Sequence, residues 1–242
     1  TQSLDPIIAA YPDLRVVTED AKGAAMARNR GVTETSAPLL FFLDCDCIPA
    51  ADWLSTALQI SNTADVVGGR IDLFEETPPP RSGAEAFEAV FAFNNRVYIE
   101  KKGFSVTANL LTRRDVFLAV GPMVAGLSED LDWCRRATEK GFTLAYADML
   151  RVRHPSRANW VALSRKWRRL TDEGFGVNGD SPAARAKWAL KALAMPISAL
   201  VHSPRFLLTQ KLSTQEKVAG IATLIRLRCT RMAWMLRQAA GS

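Results

Sequence analysis

The strongest pattern in the sequence is an uninterrupted apolar run over 39–43, bounded by Pro38 and Pro49 and followed at once by Asp44 and Asp46. Five apolar residues are too few for a typical helix and suit a strand that is covered on both faces. Such strands usually lie in the middle of a parallel sheet. We therefore predict a buried, central, parallel strand with two carboxylates at its carboxyl end.

Periodicity and turn residues divide the rest of the first 155 residues into helices and strands. The predicted helices cover 5–10 (with Ser3 as its cap), 21–35, 51–60, 84–100, a short segment that stops at Gly121, and 129–140. The predicted strands cover 14–17, 65–74, a segment that begins at 107, 142–145 and 150–152. Gly68-Gly69 indicates close approach of another group to the strand. The Pro-rich segment 77–83 is predicted to be a loop at the border of the functional site.

From Asn159 the chain is predicted to be helical and basic, with later helices over 182–201 and 214–239. In the last helix, apolar residues recur every three or four positions: Val218, Ile221, Ile225, Cys229, Met232 and Leu236. Lys and Arg cover much of the remaining surface. Two interpretations are open: this amphipathic helix packs on the domain, or it lies on an anionic membrane surface.

Composition separates the chain into two parts of opposite charge. Residues 1–150 hold 14 Lys and Arg against 21 Asp and Glu (−7), and residues 151–242 hold 17 against 4 (+13). The four cysteines form no C-x-x-C pair, and two histidines are too few for a zinc cluster, so we expect reduced thiols and a cytoplasmic protein. The longest uncharged apolar stretch, 192–201, is far shorter than the roughly 20 residues that a membrane span needs.

The acids after the first strand suggest metal chemistry. In an extended chain the side chains of Asp44 and Asp46 point to the same side, where like charges require a cation. Oxygen ligands favour Mg²⁺ or Mn²⁺, and such an ion can hold a diphosphate. The alternative is a pair of solvated turn acids. Similarly, Glu129 and Asp130 follow Ser128 at a predicted helix start, where compensation of the helix dipole is the favoured explanation from the residues alone.

Several motifs recur in a fixed order along the chain: Ala27-Arg28-Asn29-x-Gly31, then Asp44-x-Asp46, Asn109, Glu129-Asp130 and His154. This order over residues 4 to about 176 resembles bacterial family 2 glycosyltransferases of the GT-A fold. The resemblance implies an α/β, Rossmann-like mixed sheet flanked by helices over 1–176, and a basic helical extension over 177–242. Family members begin with further strands that bind the nucleotide, so the chain is expected to be N-terminally incomplete and to bind a nucleotide sugar weakly by itself.

The resemblance also implies a role for each matching residue. Asp130 would be the catalytic base, and Asp46 and His154 would bind Mg²⁺ or Mn²⁺. The donor side would include Arg28, Asn29, Asp44 and Asp46, and the acceptor side Asn109 and Glu129. The implied reaction is inverting transfer of a sugar from a nucleotide-diphosphate sugar to an acceptor hydroxyl, in the synthesis of cell-surface polysaccharide or glycolipid.

The expected partners are the nucleotide-sugar donor, a saccharide or lipid-linked acceptor, and an anionic membrane surface at the inner face of the cell membrane. Two rival functions are considered. A nucleotidyltransferase would also use carboxylates and Mg²⁺, but its Gly-rich basic loop after the first strand is absent from the sequence. A non-catalytic module could bind lipid or nucleic acid through the basic tail, and the absence of RNA-binding aromatic signatures argues against nucleic acid.

Overall fold

The computed structural model describes residues 4–126 and 128–241, so Ser3 lies outside the described residues. Five strands form one mixed sheet: β1 (Leu39–Leu43), β2 (Ile48–Pro49), β3 (Val66–Phe74), β4 (Asn109–Arg113) and β5 (Leu144–Pro155). Their order across the sheet is β1-β4-β3-β5-β2. Only β3 and β5 pair in parallel among these described strands, and the other neighbours are antiparallel.

The helices surround this sheet and continue beyond it. They are α1 (Asp5–Ala10), α2 (Ala24–Thr33), α3 (Trp53–Ile60), α4 (Gly83–Phe91), α5 (Asn95–Lys102), α6 (Arg114–Val120), α7 (Glu129–Glu139), α8 (Trp160–Asn178), α9 (Pro182–Leu193), α10 (Met195–His202), α11 (Pro204–Leu208) and α12 (Thr214–Ala240). The predicted class, an α/β mixed sheet flanked by helices with a helical C-terminal extension, is confirmed. No helix in the described ranges is both long enough and apolar enough to cross a bilayer.

Strand β1 differs from the prediction in its pairing. It pairs antiparallel with β4 and lies at one edge of the sheet formed by the described residues, so the expectation of a central parallel strand is wrong. Its two faces are nevertheless both apolar, because Leu40 and Phe42 join the core with α2, α6 and α7, while Phe41 packs with Trp53 of α3. An apolar run thus reports covered faces and does not report how many neighbours a strand has.

Five other elements were predicted incorrectly, and one of them, the helix expected over 182–201, is divided at Ala194 into α9 and α10. Residues 14–17 are exposed and do not form a strand. The helix expected over 84–100 is two helices, because the Asn94 side chain accepts from the Val97 N–H and starts α5. The strands expected over 142–145 and 150–152 are one strand, β5, with a register shift opposite Gly69 and Arg70. Helix α8 continues through the expected break at 174–176 to Asn178.

The C-terminal helices share a core with helices that flank the sheet. Phe87 of α4, Leu163 of α8, Phe206 of α11 and Leu224 of α12 belong to one buried cluster. The division into domains at residue 176 stays a prediction. What the cluster does show is that α12 packs on α4 and α8.

The face that α12 buries coincides only in part with the predicted stripe, of which Ile221, Met232 and Leu236 pack against buried clusters. The buried residues of α12 are Glu216, Gly220, Leu224, Leu227 and Met235. Val218 and Ile225 of the predicted stripe are 64% and 44% exposed. Both sides of this helix carry apolar residues, so periodicity alone could not decide which side faces the protein.

Candidate active site

The two acids after β1 lie in a turn and not in an extended chain. The strand ends at Leu43, and the Cys47 N–H donates to the Asp44 carbonyl at 3.0 Å. The extended geometry predicted for this segment is therefore wrong. Because the chain turns, the side chains of Asp44 and Asp46 contact different parts of the molecule.

Arg28 joins the carboxyl end of β1 to the start of α7. Its guanidinium is bound to Asp44 Oδ1 at 2.6 Å and to Glu129 Oε1 at 2.9 Å. The Arg28 side chain is 15% exposed, so these charge-assisted hydrogen bonds are partly shielded from solvent. Three predicted site residues from three separate segments thus meet in one place.

Asp46 lies beside His154 and Cys47. The distance from Asp46 Oδ2 to His154 Nε2 is 3.5 Å, and one ligand atom from each of the three residues lies within 4.8 Å of the others. His154 is buried, with its ring against that of Phe93 at 4.8 Å between centroids.

The tautomer of His154 follows from its other ring nitrogen. Nδ1 is 2.7 Å from the Pro155 carbonyl, which can only accept, so Nδ1 carries a proton. In the neutral ring this directs the Nε2 lone pair toward Asp46. A carboxylate and an imidazole lone pair that face each other are suited to a shared cation, and the carbonyl partner is the support that a metal-binding histidine commonly has. The residues present therefore fit a divalent ion.

Asp130 is the second residue of α7. Burial, with a further contribution from Glu129, raises the pKa of this carboxyl from 3.8 to about 6. The Leu131 N–H, which donates to Asp130 Oδ1 at 2.8 Å, and the Arg28 charge both oppose that rise. A carboxyl with such a pKa is mostly ionised at neutral pH and is basic enough to accept a proton.

Ser128 does not cap α7 with its side chain. Its hydroxyl instead donates to Glu173 Oε2 of α8 at 3.4 Å. Burial raises the pKa of Glu173, which places a second perturbed carboxyl near the start of α7. No local sequence pattern pointed to Glu173, because its proximity to α7 depends on how α8 packs.

The two predicted asparagines have other partners in this structure. The amide of Asn29 donates to the Met123 carbonyl and accepts from the Met123 N–H, both at 2.9 Å, so it holds the loop after α6. Asn109 is fully buried inside the sheet instead of facing an acceptor. Its amide accepts from Trp53 Nε1 and donates to the carbonyls of Arg70 and Leu150. These three hydrogen bonds occupy the amide groups that Asn109 would need for contact with a sugar acceptor.

Comparison with known proteins places this arrangement in a family. Residues 1–123 match the family model for glycosyl transferase family 2. This segment is half of the chain and contains the Arg28 helix and the Asp44 and Asp46 turn. The chain belongs to glycosyl transferase family 2.

Two curated relatives belong to the same functional class by name. Glycosyltransferase AglE of Haloferax volcanii is 34% identical over 164 residues, which are 66% of this chain and 53% of the relative. The pre-mycofactocin glycosyltransferase of Mycobacterium tuberculosis is 27% identical over 170 residues, 65% of this chain and 36% of the relative. The family 2 chain thus spans about half or less of the length of these relatives.

A solved structure, that of GalNAc-T7 with UDP, GalNAc and Mn²⁺, is also similar. The match covers 97% of this chain and 48% of the GalNAc-T7 chain, with 14% sequence identity and a TM-score of 0.48.

Three further residues near Asp46 and His154 were not among the predicted site residues. Cys47 adds a thiol to the Asp46 and His154 pair. Phe93 packs on His154, and the Lys166 ammonium lies 5.2 Å from the centre of the Phe93 ring and 2.7 Å from buried Glu88. Burial lowers the pKa of Lys166. The sequence contained a signal for Lys166, the basic cluster 165–169, but not for which of its members is buried.

Proposed function

We propose that this family 2 chain carries the catalytic centre of an inverting glycosyltransferase, which moves a sugar from a nucleotide-diphosphate sugar to an acceptor hydroxyl. The observation that carries the proposal is the Arg28 bridge, which brings Asp44 at the end of β1 to Glu129, the residue before Asp130. Family membership supports the reaction class. The Asp46 and His154 pair beside the same turn supports a site for a donor diphosphate.

On the donor side, Asp46 and His154 would hold Mg²⁺ or Mn²⁺. When bound, such an ion neutralises charge that develops on the leaving diphosphate. Asp44 contacts the sugar and ribose of the donor, and Arg28 orients Asp44 through the 2.6 Å contact. Asn29 acts on this side through the loop that it holds.

On the acceptor side, Asp130 removes the proton from the attacking hydroxyl. Its position at the start of α7 and its raised pKa suit a general base that works near neutral pH. Glu129 is held by Arg28 at 2.9 Å and borders the same helix start. A single displacement assisted by one base inverts the configuration at the anomeric carbon.

The experiment that tests the donor site is calorimetric titration of this chain with uridine and guanosine diphosphates, with and without Mn²⁺. We expect weak, Mn²⁺-dependent binding of one of them in the wild-type chain. The Asp46→Asn variant should bind at least about tenfold more weakly, because it loses an anionic oxygen ligand.

Asp72→Asn is the matched control, since Asp72 is a partly exposed carboxylate on the same sheet that pairs with Arg70. It should bind like the wild-type chain. Metal-independent binding, unchanged binding by Asp46→Asn, or no binding by the wild-type chain would each count against the proposal.

The acceptor and the place of action are part of the same proposal. The charge of +13 on residues 151–242 supports action at the anionic inner face of the cell membrane, where a lipid-linked acceptor would be found. A free saccharide acceptor would not require this location. The product would enter cell-surface polysaccharide or glycolipid.

A further inference from the structure

Helices α9, α10 and α11 carry apolar residues on two opposite sides. One side, with Trp188, Ala192, Met195 and Phe206, is buried within the helical extension. The other side exposes six large residues, which we call the apolar ridge: Leu190, Leu193, Ile197, Leu200, Leu207 and Leu208. They are 57% to 82% exposed, and the first four follow one another at spacings of three and four residues. Such spacing places them along one side of a helical path.

Helix α10 shows how unusual this surface is. Its sequence, Met195–His202, contains no Lys, Arg, Asp or Glu. Ile197 and Leu200 are nevertheless 64% and 70% exposed, and the adjacent Val201 is 69% exposed. A helix on the surface of a soluble domain normally has polar residues on its outer side, whereas one that is apolar all round normally has nonpolar surroundings. A continuous exposed apolar surface marks an interaction site.

The charges beside the apolar ridge have a single sign. Residues 181–215 contain five Lys and Arg and no Asp or Glu. Lys187 and Lys191 directly follow Ala186 and Leu190, so they flank the ridge. Within the described ranges, no carboxylate lies at ion-pair distance from Lys187, Lys191, Arg205 or Lys211. Lys191 and Arg205 instead lie over the rings of Trp188 and Phe91. These cations are therefore available to an anionic partner.

We propose that the apolar ridge and its flanking cations form a docking surface for an anionic lipid bilayer, with the ridge inserted at the level of the headgroups and upper acyl chains. A bilayer supplies both features that this surface requires, an apolar layer and anionic headgroups at its boundary. A second copy of the chain suits it less, since a two-fold interface would place these cations against their own counterparts. Nucleic acid would satisfy the cations but would leave the leucines without apolar contacts.

The inference deepens the membrane location in the proposed function and identifies the surface responsible. Its test is cosedimentation of the full chain with phosphatidylcholine vesicles containing 0% or about 30% phosphatidylglycerol, without donor, acceptor or metal. Vesicle binding is therefore measured independently of the sugar-transfer site. If the transferase assignment failed, this measurement would still decide whether the ridge binds lipid.

The apolar part is tested with Ile197→Gln, Leu200→Gln, Leu207→Gln and Leu208→Gln combined. We expect at least about 100-fold weaker binding to the anionic vesicles, because the variant loses the free energy gained when four large apolar side chains transfer from water into the bilayer. Leu118→Gln, at a site that is 65% exposed on α6, is the control and should bind normally. Circular dichroism melting checks that each variant is folded. If the combined variant does not fold, the single variant Leu200→Gln replaces it and should bind the anionic vesicles about tenfold more weakly than the wild type.

The charged part is tested with Lys187→Gln and Lys191→Gln, which should lose about tenfold or more on anionic vesicles and little on neutral ones. Lys22→Gln with Lys101→Gln makes the same change in net charge elsewhere and should have little effect. The proposal is overturned if the wild-type chain does not bind anionic vesicles, or if the ridge and control variants bind equally. It is also overturned if light scattering shows a wild-type dimer that Leu200→Gln dissociates, since the ridge would then be a contact between copies.

Discussion

The most discriminating prediction concerns the stability of an Asp130→Asn variant. Burial raises the pKa of Asp130 from 3.8 to about 6, so the folded protein disfavours the ionised form. A rise of about two pKa units corresponds to about 3 kcal/mol. Because the side chain keeps some contact with solvent, we treat this figure as an upper limit and expect about 1–3 kcal/mol. Asparagine has nearly the same shape, carries no charge and can still accept from the Leu131 N–H.

The effect has a defined pH dependence. Below pH 3.8 the aspartic acid is neutral in both the folded and unfolded states, so the variant gains nothing there. Between pH 3.8 and about 6 the unfolded chain ionises more readily than the folded one, and the wild-type protein progressively loses stability relative to the variant. Above about pH 6 the full difference is present. At pH 7.5 the variant should therefore melt about 2–10 °C higher than the wild type.

The assay is urea unfolding and thermal melting at pH 3.5, 5, 6 and 7.5, together with sugar transfer. Transfer should fall by about 10² or more if Asp130 is the base. Asp132→Asn is the control, because Asp132 is another acid in the first turn of α7 and pairs with Arg136 at 2.9 Å. Its loss should lower stability by about 0.5–1 kcal/mol.

The two variants should thus shift stability in opposite directions. If Asp130→Asn instead lowers stability as Asp132→Asn does, or if its effect is independent of pH, then Asp130 only compensates the helix dipole. The reasoning that makes it a base would be refuted.

Two further substitutions test the framework of the site. In Arg28→Lys, an ammonium group cannot bridge two carboxylates as the planar guanidinium does. The free energy of unfolding should therefore fall by about 1–2 kcal/mol, and Mn²⁺-dependent nucleotide affinity should fall by about tenfold. An unchanged affinity would show that Arg28 does not act on the donor side. Gly69→Ala should lower the free energy of unfolding in urea by about 1–3 kcal/mol, because the added Cβ would lie 2.1 Å from Asn109 Nδ2. Gly31→Ala is the control and should be tolerated, because its Cβ would meet nothing within 4 Å. Equal effects of the two substitutions would contradict the tight packing around Gly69.

Much of the candidate site was present in local sequence patterns. The apolar run over 39–43, its two following acids and the acid-rich start of α7 each depend on neighbouring residues alone. The succession of a strand and a short helix that stops before Gly121 was also predicted, although β4 begins at Asn109, two residues later than expected. The Gly68-Gly69 pair correctly indicated a close approach, which proved to be from Ser105 and Asn109.

Partners that are distant in sequence could not be predicted in the same way. Nothing local to Arg28 specifies that it joins Asp44 to Glu129, 101 residues away. Cys47 gained its place beside His154 only because β2 pairs with β5. Asn109 is an ordinary polar residue in sequence, and only the close packing of β3, β5 and α3 around it makes it a buried structural group.

Sequence by itself therefore determined the positions of most helices and strands and which residue types lie at their ends, because backbone propensity and side-chain periodicity act over a few residues. The tertiary structure decided which of several apolar faces is buried. Helix α12 could have buried Val218 and Ile225, but α4, α8 and α11 contact its Leu224 side instead. The free energy of burial is nearly the same for either apolar face, so the choice depends on the shape of the neighbouring helices, which no local pattern encodes.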